Sequence, residues 1–245
     1  MQDIKKIKMN EKVYELPLIP ISKEETFSGY VYRLQAENED LAVKIYHSSC
    51  RYDDQIEWFP PQRDLEEFIE VSKEVFPMLL SHKMVFDLEN HYIGCASYYI
   101  EETEGNIGKV IESLPCSELF THIFSLIEQV PIISKHYIEL DDLAIDNLKY
   151  GTIKKDSSKS RIYSFDDSNY TVNKENSMKT IMEDNYDCFN RLAEDFLDYY
   201  LPSRYYELLK KMKCSGNYFE LLEKVCRGYS NLGEFVKDYT LRKKK

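Results

Sequence analysis

Apolar and polar positions in the first hundred residues alternate with the period of strands rather than of helices. The runs KVYELPLIPI, YVYRLQAENEDLAVKIYH, KMVFDL and YIGCASYYI are rich in β-branched and aromatic residues, and AENED and ENH read as polar turns within and between them. An antiparallel sheet is the expectation for this half. One stretch breaks the alternation. RDLEEFIEVSKEVF places Leu65, Phe68, Ile69, Ser72 and Val75 on one side and charges on the other, which is helical spacing. Pro60 and Pro61 stand just ahead of it, where proline interferes least.

Beyond EETEGNIG, whose Gly105 and Gly108 suggest a flexible crossing, the period changes to that of helices: SELFTHIFSLIEQV, MEDNYDCFNRLAEDFLDYYL, RYYELLKKM and YFELLEKVCRGY. Between the first two lies a hairpin pattern made of DNLKYG, the polar insert TIKKDSSKS and the apolar run RIYSF, ending at Asp166. A mainly β part over residues 1–100 and a mainly helical part over residues 101–245 predict an α+β fold of two lobes. The chain has no internal repeat of the solenoid kind.

Composition narrows the picture. A chain of 245 residues can bury one large core or two modest lobes, and 43% hydrophobic with 13% aromatic residues is the make-up of a folded globule. No apolar run approaches the roughly 20 residues that cross a bilayer, and MQDIKKIKMNEK lacks the apolar stretch of a secretory signal, so a cytoplasmic protein with no membrane span is expected. The six cysteines are scattered without a CxxC pair, which suggests neither a zinc site nor a disulfide framework. A net charge of −11 repels phosphate backbones and argues against a general nucleic-acid binder. The LRKKK tail reads as a solvated, frayed terminus.

Four segments carry candidate chemistry. LAVKIY sets Lys44 in an otherwise apolar strand, where an ammonium needs a partner. The helix that follows offers Glu66, Glu67, Glu70 and Glu74, and Glu67 is the preferred ion-pair partner, with Glu70 one turn away as the alternative. IELDDLAIDNLKYG spaces Asp142 and Asn147 so that a loop aims a carboxylate and an amide into one cleft, and an amide oxygen ligates a hard cation without adding charge. RIYSFDDSNY ends an apolar strand at Asp166, with Asp167 next to it. Taken singly, these are a surface lysine, an acidic helix face, a solvated loop and a turn. Their order along the chain distinguishes them.

In that order the chain resembles the protein-kinase-like superfamily, which includes protein kinases and the aminoglycoside and choline phosphotransferases. LAVKIY is similar to the VAIK strand, DLAIDN to the DLxxxN of the catalytic loop, and SFDDS to the segment around the DFG aspartate; SGYVYRL resembles the end of a glycine-rich loop, with Gly29 and Val31 at its GxV positions. The resemblance covers roughly residues 12–170. It implies an ATP- and Mg²⁺-dependent transfer of phosphate to a hydroxyl. Lys44 would contact the α- and β-phosphates, Glu67 would hold Lys44, and Asp142 would orient the acceptor hydroxyl and take its proton. Asn147 and Asp166 would ligate Mg²⁺, Val31 and Ala42 would cover the adenine, and the backbone from Tyr99 to Glu102 would form the hinge.

Departures from the pattern shape the expected substrate. Only Gly29 remains of three glycines, Leu140 and Asp141 stand where a protein kinase has His and Arg, and Asp167 and Ser168 replace the Phe and Gly of DFG. No APE motif follows, and 79 residues remain after Asp166. Without the arginine a phosphorylated activation loop lacks its docking charge, so no switch of that kind is expected. A protein Ser or Thr is the preferred acceptor. An aminoglycoside- or choline-type small molecule, or a pseudokinase that binds a partner, are the alternatives.

Overall fold

The alternating pattern of the first hundred residues becomes a six-stranded antiparallel sheet that curls on itself. The computed structural model describes residues 5–21, 29–36, 38–47, 60–102, 107–141, 143–166, 170–200, 205–214 and 216–242. Strands β1 (Lys6–Met9), β2 (Lys12–Glu15), β3 (Gly29–Gln35), β4 (Asp40–Tyr46), β5 (Lys83–Phe86) and β6 (Tyr92–Tyr98) lie in the order β2-β1-β5-β6-β4-β3. The β1–β2 hairpin goes beyond the sequence expectation. KIKM buries Ile7 and Met9, and the positive φ angles of Asn10 and Glu11 make the tight turn that twists with the flanking strands. Conversely, KVYELPLIPI is strand only in its first four residues, and Leu18 and Ile19 stand exposed.

Ile7, Met9, Leu34, Leu41, Val43, Ile45, Val85 and Ala96 pack into one apolar cluster. Because side chains alternate along β4, Lys44 points the other way, level with Val31 of β3 and Cys95 of β6. Helix α1 (Gln62–Val71) lies between this sheet and the rest of the molecule and buries Leu65, Phe68 and Val71. It stops earlier than the apolar spacing suggests, because Ser72 folds its hydroxyl back onto the Ile69 carbonyl and the chain turns. Val75 joins the same core from that turn.

The remainder is mainly helical: α2 (Ile107–Ser113), α3 (Cys116–Ile127), α4 (Val130–Lys135), α5 (Met178–Tyr200), α6 (Tyr205–Met212), α7 (Tyr218–Cys226) and α8 (Leu232–Arg242). Strand β7 (Ile100–Glu102) forms a small sheet with β9 (Leu148–Ile153) and β10 (Asp156–Ser164), and β8 (Ile138–Leu140) pairs with β11 (Tyr170–Val172). The polar insert TIKKDSSKS is not a loop but largely strand, reversing at Lys154 and Lys155, since a ladder needs only backbone groups and its outer side chains face water. The expected frayed tail is also partly ordered, with Leu241 and Arg242 ending α8. No helix among the described residues is long and apolar enough to cross a membrane.

His82 couples this fold to pH. Its ring stacks on Tyr98 with centroids 4.4 Å apart, and neither ring nitrogen has a hydrogen-bond partner. Burial first, then the neighbouring Lys83, lowers its pKa from 6.5 to about 4. The unfolded chain therefore takes up this proton before the folded one. The stabilisation is fully present above pH 6.5 and is lost as pH falls to about 4. Urea unfolding should show a loss of about 3 kcal/mol across that window, and His82→Leu should flatten the slope there. An unchanged slope in the variant would remove His82 as its source.

Candidate functional site

Lys44 and Asp166, distant in sequence, meet as an ion pair at 3.5 Å with both side chains largely buried. The separation exceeds the 2.7–2.9 Å typical of a tight charge-assisted hydrogen bond. Two glycines set the position of Lys44. A Cβ on Gly29 would lie 2.1 Å from the Ile45 carbonyl oxygen, and one on Gly94 would lie 2.0 Å from that of Lys44. The β4 backbone is thus gripped from both sides by strands that only glycine lets so close. Gly29 is explained by this contact, and residues 22–28 ahead of it lie outside the described residues. Val31 and Ala42 are half-buried on the same face as Lys44.

Asp166 stands two residues beyond the end of β10, and the β9–β10 register brings Asn147 beside Phe165, the residue between them. Ser164 pairs with Leu148, and the Phe165 N–H donates to the Asn147 carbonyl at 3.3 Å. A short 3₁₀ turn (Ile145–Asn147) delivers Asn147 to that end of the hairpin. Lys44 thus pairs with Asp166, and the backbone of Asn147 runs beside the residue before Asp166. Asp142 lies outside the described residues. Next to it, burial pushes the Asp141 carboxyl upward against a hydrogen bond from Thr171.

Glu67 does not pair with Lys44. Its Oε1 meets His136 Nδ1 at 2.7 Å and its Oε2 lies 3.4 Å from Lys174 Nζ. Burial opposes ionisation of this carboxyl, but the hydrogen bonds from His136 and Lys174 outweigh it and hold the pKa below the ordinary range. Glu70, the alternative partner, is exposed. The correction has a geometric cause: Leu65, Phe68 and Val71 must face the core, and this rotation turns position 67 toward β8 and β11 instead of β4. Along the expected hinge, the Tyr99 N–H is engaged by the Asp40 carbonyl at 2.8 Å, and Ile100–Glu102 pairs with β9 as the edge strand of its sheet.

Asn185 of α5 is a supporting residue that the apolar spacing obscures. It is fully buried, and its side chain accepts from the Leu140 N–H at 2.8 Å and donates to the Ile138 carbonyl and the Ser134 hydroxyl, each at 2.9 Å. It holds the strand that leads into the Asp141–Asp142 loop. The legible signal is a lone amide in the helical stripe of Ile181, Cys188, Phe189 and Leu192. Gly94, a single glycine inside a strand pattern, carries a comparable signal.

An amide oxygen and a carboxylate suit a hard cation such as Mg²⁺, which often takes few protein ligands and completes its shell with phosphate and water. Among the described residues no group of three or more His, Cys, Asp or Glu side chains is placed to hold a metal by itself. Asn147 and Asp166 thus fit a metal that arrives with phosphate better than a dedicated protein cage. A cavity of about 520 Å³ lined by Arg33, Asp40, Tyr99, Glu101 and Lys154 does not include Lys44, Asn147 or Asp166. Another, of about 380 Å³, is lined by Glu139, Asp141, Asp184, Asp187 and Arg191 beside the Asp142 loop.

No protein-family model and no curated protein matches this chain.

Asn185→Ala leaves three buried backbone and side-chain groups without their partner. It should cost about 3 kcal/mol in chemical denaturation. A loss under about 1 kcal/mol would mean that these groups find other partners.

Proposed function

We propose that the chain is an ATP-dependent phosphotransferase of the protein-kinase-like superfamily, bilobed, with residues 1–100 as its β-rich lobe and residues 101–245 as its helical lobe. The meeting of Lys44 with Asp166 at the hairpin end that also presents Asn147 carries this reading. Lys44 and Asp166 come from segments far apart in the sequence, and the motif order predicts their meeting. The order of elements supports the same view: a hairpin carrying the lysine, a helix, two further strands of the same sheet, a connection, helices, and a hairpin ending at the acidic residue.

Bound ATP and Mg²⁺ would supply the transferable γ-phosphoryl group and neutralise its phosphates. Lys44 would hold the phosphates by charge, and Asn147 and Asp166 would hold the metal. Asp142 would orient the acceptor hydroxyl and accept its proton late, since the hydroxyl need not ionise in advance. Asn185 would keep the strand ahead of that loop in place. The acceptor is a protein Ser or Thr, with an aminoglycoside- or choline-type alcohol as the alternative.

A second reading, a pseudokinase that presents this shape to a partner, draws on Glu67. With its carboxylate committed to His136 and Lys174, Lys44 lacks the helix partner that active kinases use to hold it.

Thermal shift with ATP and Mg²⁺ separates the readings. Ligand at a hundredfold excess over its dissociation constant stabilises by about 2.7 kcal/mol, and Lys44→Ala and Asp166→Ala should each abolish the metal-dependent shift. Asp142→Asn should keep the shift and lower phosphoryl transfer by about 10²- to 10⁴-fold. A nucleotide shift without any turnover would favour the pseudokinase. Absence of a shift in the unaltered protein would count against a nucleotide site.

A further inference from the structure

Strand β11 begins four residues after Asp166 and pairs with β8 on one side only. Its other side meets α1. The Val172 N–H donates to Asp64 Oδ2 at 3.2 Å, the Phe68 ring packs edge-on against Tyr170 with centroids 6.5 Å apart, and Lys174 reaches Glu67. Asp64, Glu67 and Phe68 lie on one helix face, Tyr170 and Val172 lie two apart along β11, and Lys174 stands in the turn that follows. The helix therefore caps a strand edge that would otherwise expose unpaired backbone groups.

Several features mark this contact as more than a surface ion pair. Asp64 is only 4% exposed, and Glu67 also engages His136, next to β8, so the helix grips both strands of the pair. Ser164, two residues before Asp166, hydrogen-bonds Tyr170 at 2.5 Å, which ties the chain on both sides of Asp166 together. Asn173 fastens the far end, donating from its side chain to Glu139 and from its backbone to the Tyr137 carbonyl.

We propose that Asp64 and Glu67 are positioning residues: through β11 they hold Asp166 at the cleft, doing by a helix-to-strand brace what a direct contact between helix and Lys44 does not do here. The brace deepens the nucleotide reading and rests on it for its consequence. Lys44 is thereby set by Asp166, and Asp166 by α1.

Hydrogen exchange on the full chain, with Mg²⁺ titrations of ATP binding alongside, tests this. Asp64→Ala should speed exchange of the β11 amides by about tenfold, the loss of one hydrogen bond to a charged group, while Asp64→Asn, which keeps an acceptor, should stay near the unaltered protein. Both Asp64→Ala and Glu67→Ala should raise the Mg²⁺ concentration for half-maximal ATP binding by about tenfold. Unchanged β11 exchange in both alanine variants, or an unchanged Mg²⁺ requirement where β11 does exchange faster, would overturn the brace. If Asp64→Ala does not fold, Glu67→Ala alone carries both readouts. No Mg²⁺-dependent ATP binding in the unaltered protein would count against the nucleotide site, and the exchange measurement would then decide the brace by itself.

Discussion

One face of α1 must fill an apolar core and satisfy a strand edge at the same time, and the helix packs against both the six-stranded sheet and the β8–β11 pair. Leu65, Phe68 and Val71 are each fully buried, and such side chains contribute roughly 1.5–3 kcal/mol apiece. That burial fixes the rotation of the helix. Once the rotation is set, Asp64 and Glu67 have no choice of neighbours. A carboxylate as buried as that of Asp64 would be strongly destabilising without a donor, and the Val172 N–H supplies one. Core packing and strand capping are thus a single geometric solution.

The same rotation bears on the electrostatics around Lys44. Lys44 projects from a strand whose flanking side chains, Val43 and Ile45, belong to the apolar cluster on the other side of the sheet. Its side chain is 17% exposed, too little for water to solvate the ammonium fully, so it must find an anion within the protein. With Glu67 turned away, Asp166 is the anion paired with it among the described residues. The two charged groups stand 3.5 Å apart.

Much of this was legible along the chain. The β3–β4 and β5–β6 hairpins follow from alternation and polar turns, and α3, α5, α6 and α7 from helical stripes, because burial of one face imposes its period on the residues. The β1–β2 hairpin was missed because KIKM is too short and too charged for its two buried side chains to register. TIKKDSSKS reads as a polar insert within the hairpin, and its polarity speaks of water on its side chains and says nothing of how much of it is strand. Asn185 was hidden in an apolar stripe, since a buried amide leaves the spacing intact and only its partners reveal its use.

Lys44, Asn147 and Asp166 could be named from sequence because each stands out locally, a charge or an amide at the edge of an apolar run. What no local pattern contained was partner choice. Glu67, Glu70 and their neighbours differ by fractions of a helical turn, and the sequence by itself determined only that an acidic helix follows a lysine-bearing strand. The tertiary structure decided that Glu67 reaches His136 and Lys174 and that Asp166 reaches Lys44. The reason is physical: secondary structure follows from interactions repeated every two or nearly four residues, whereas an ion pair depends on the rotation and crossing of elements, which only the packing of the whole core fixes.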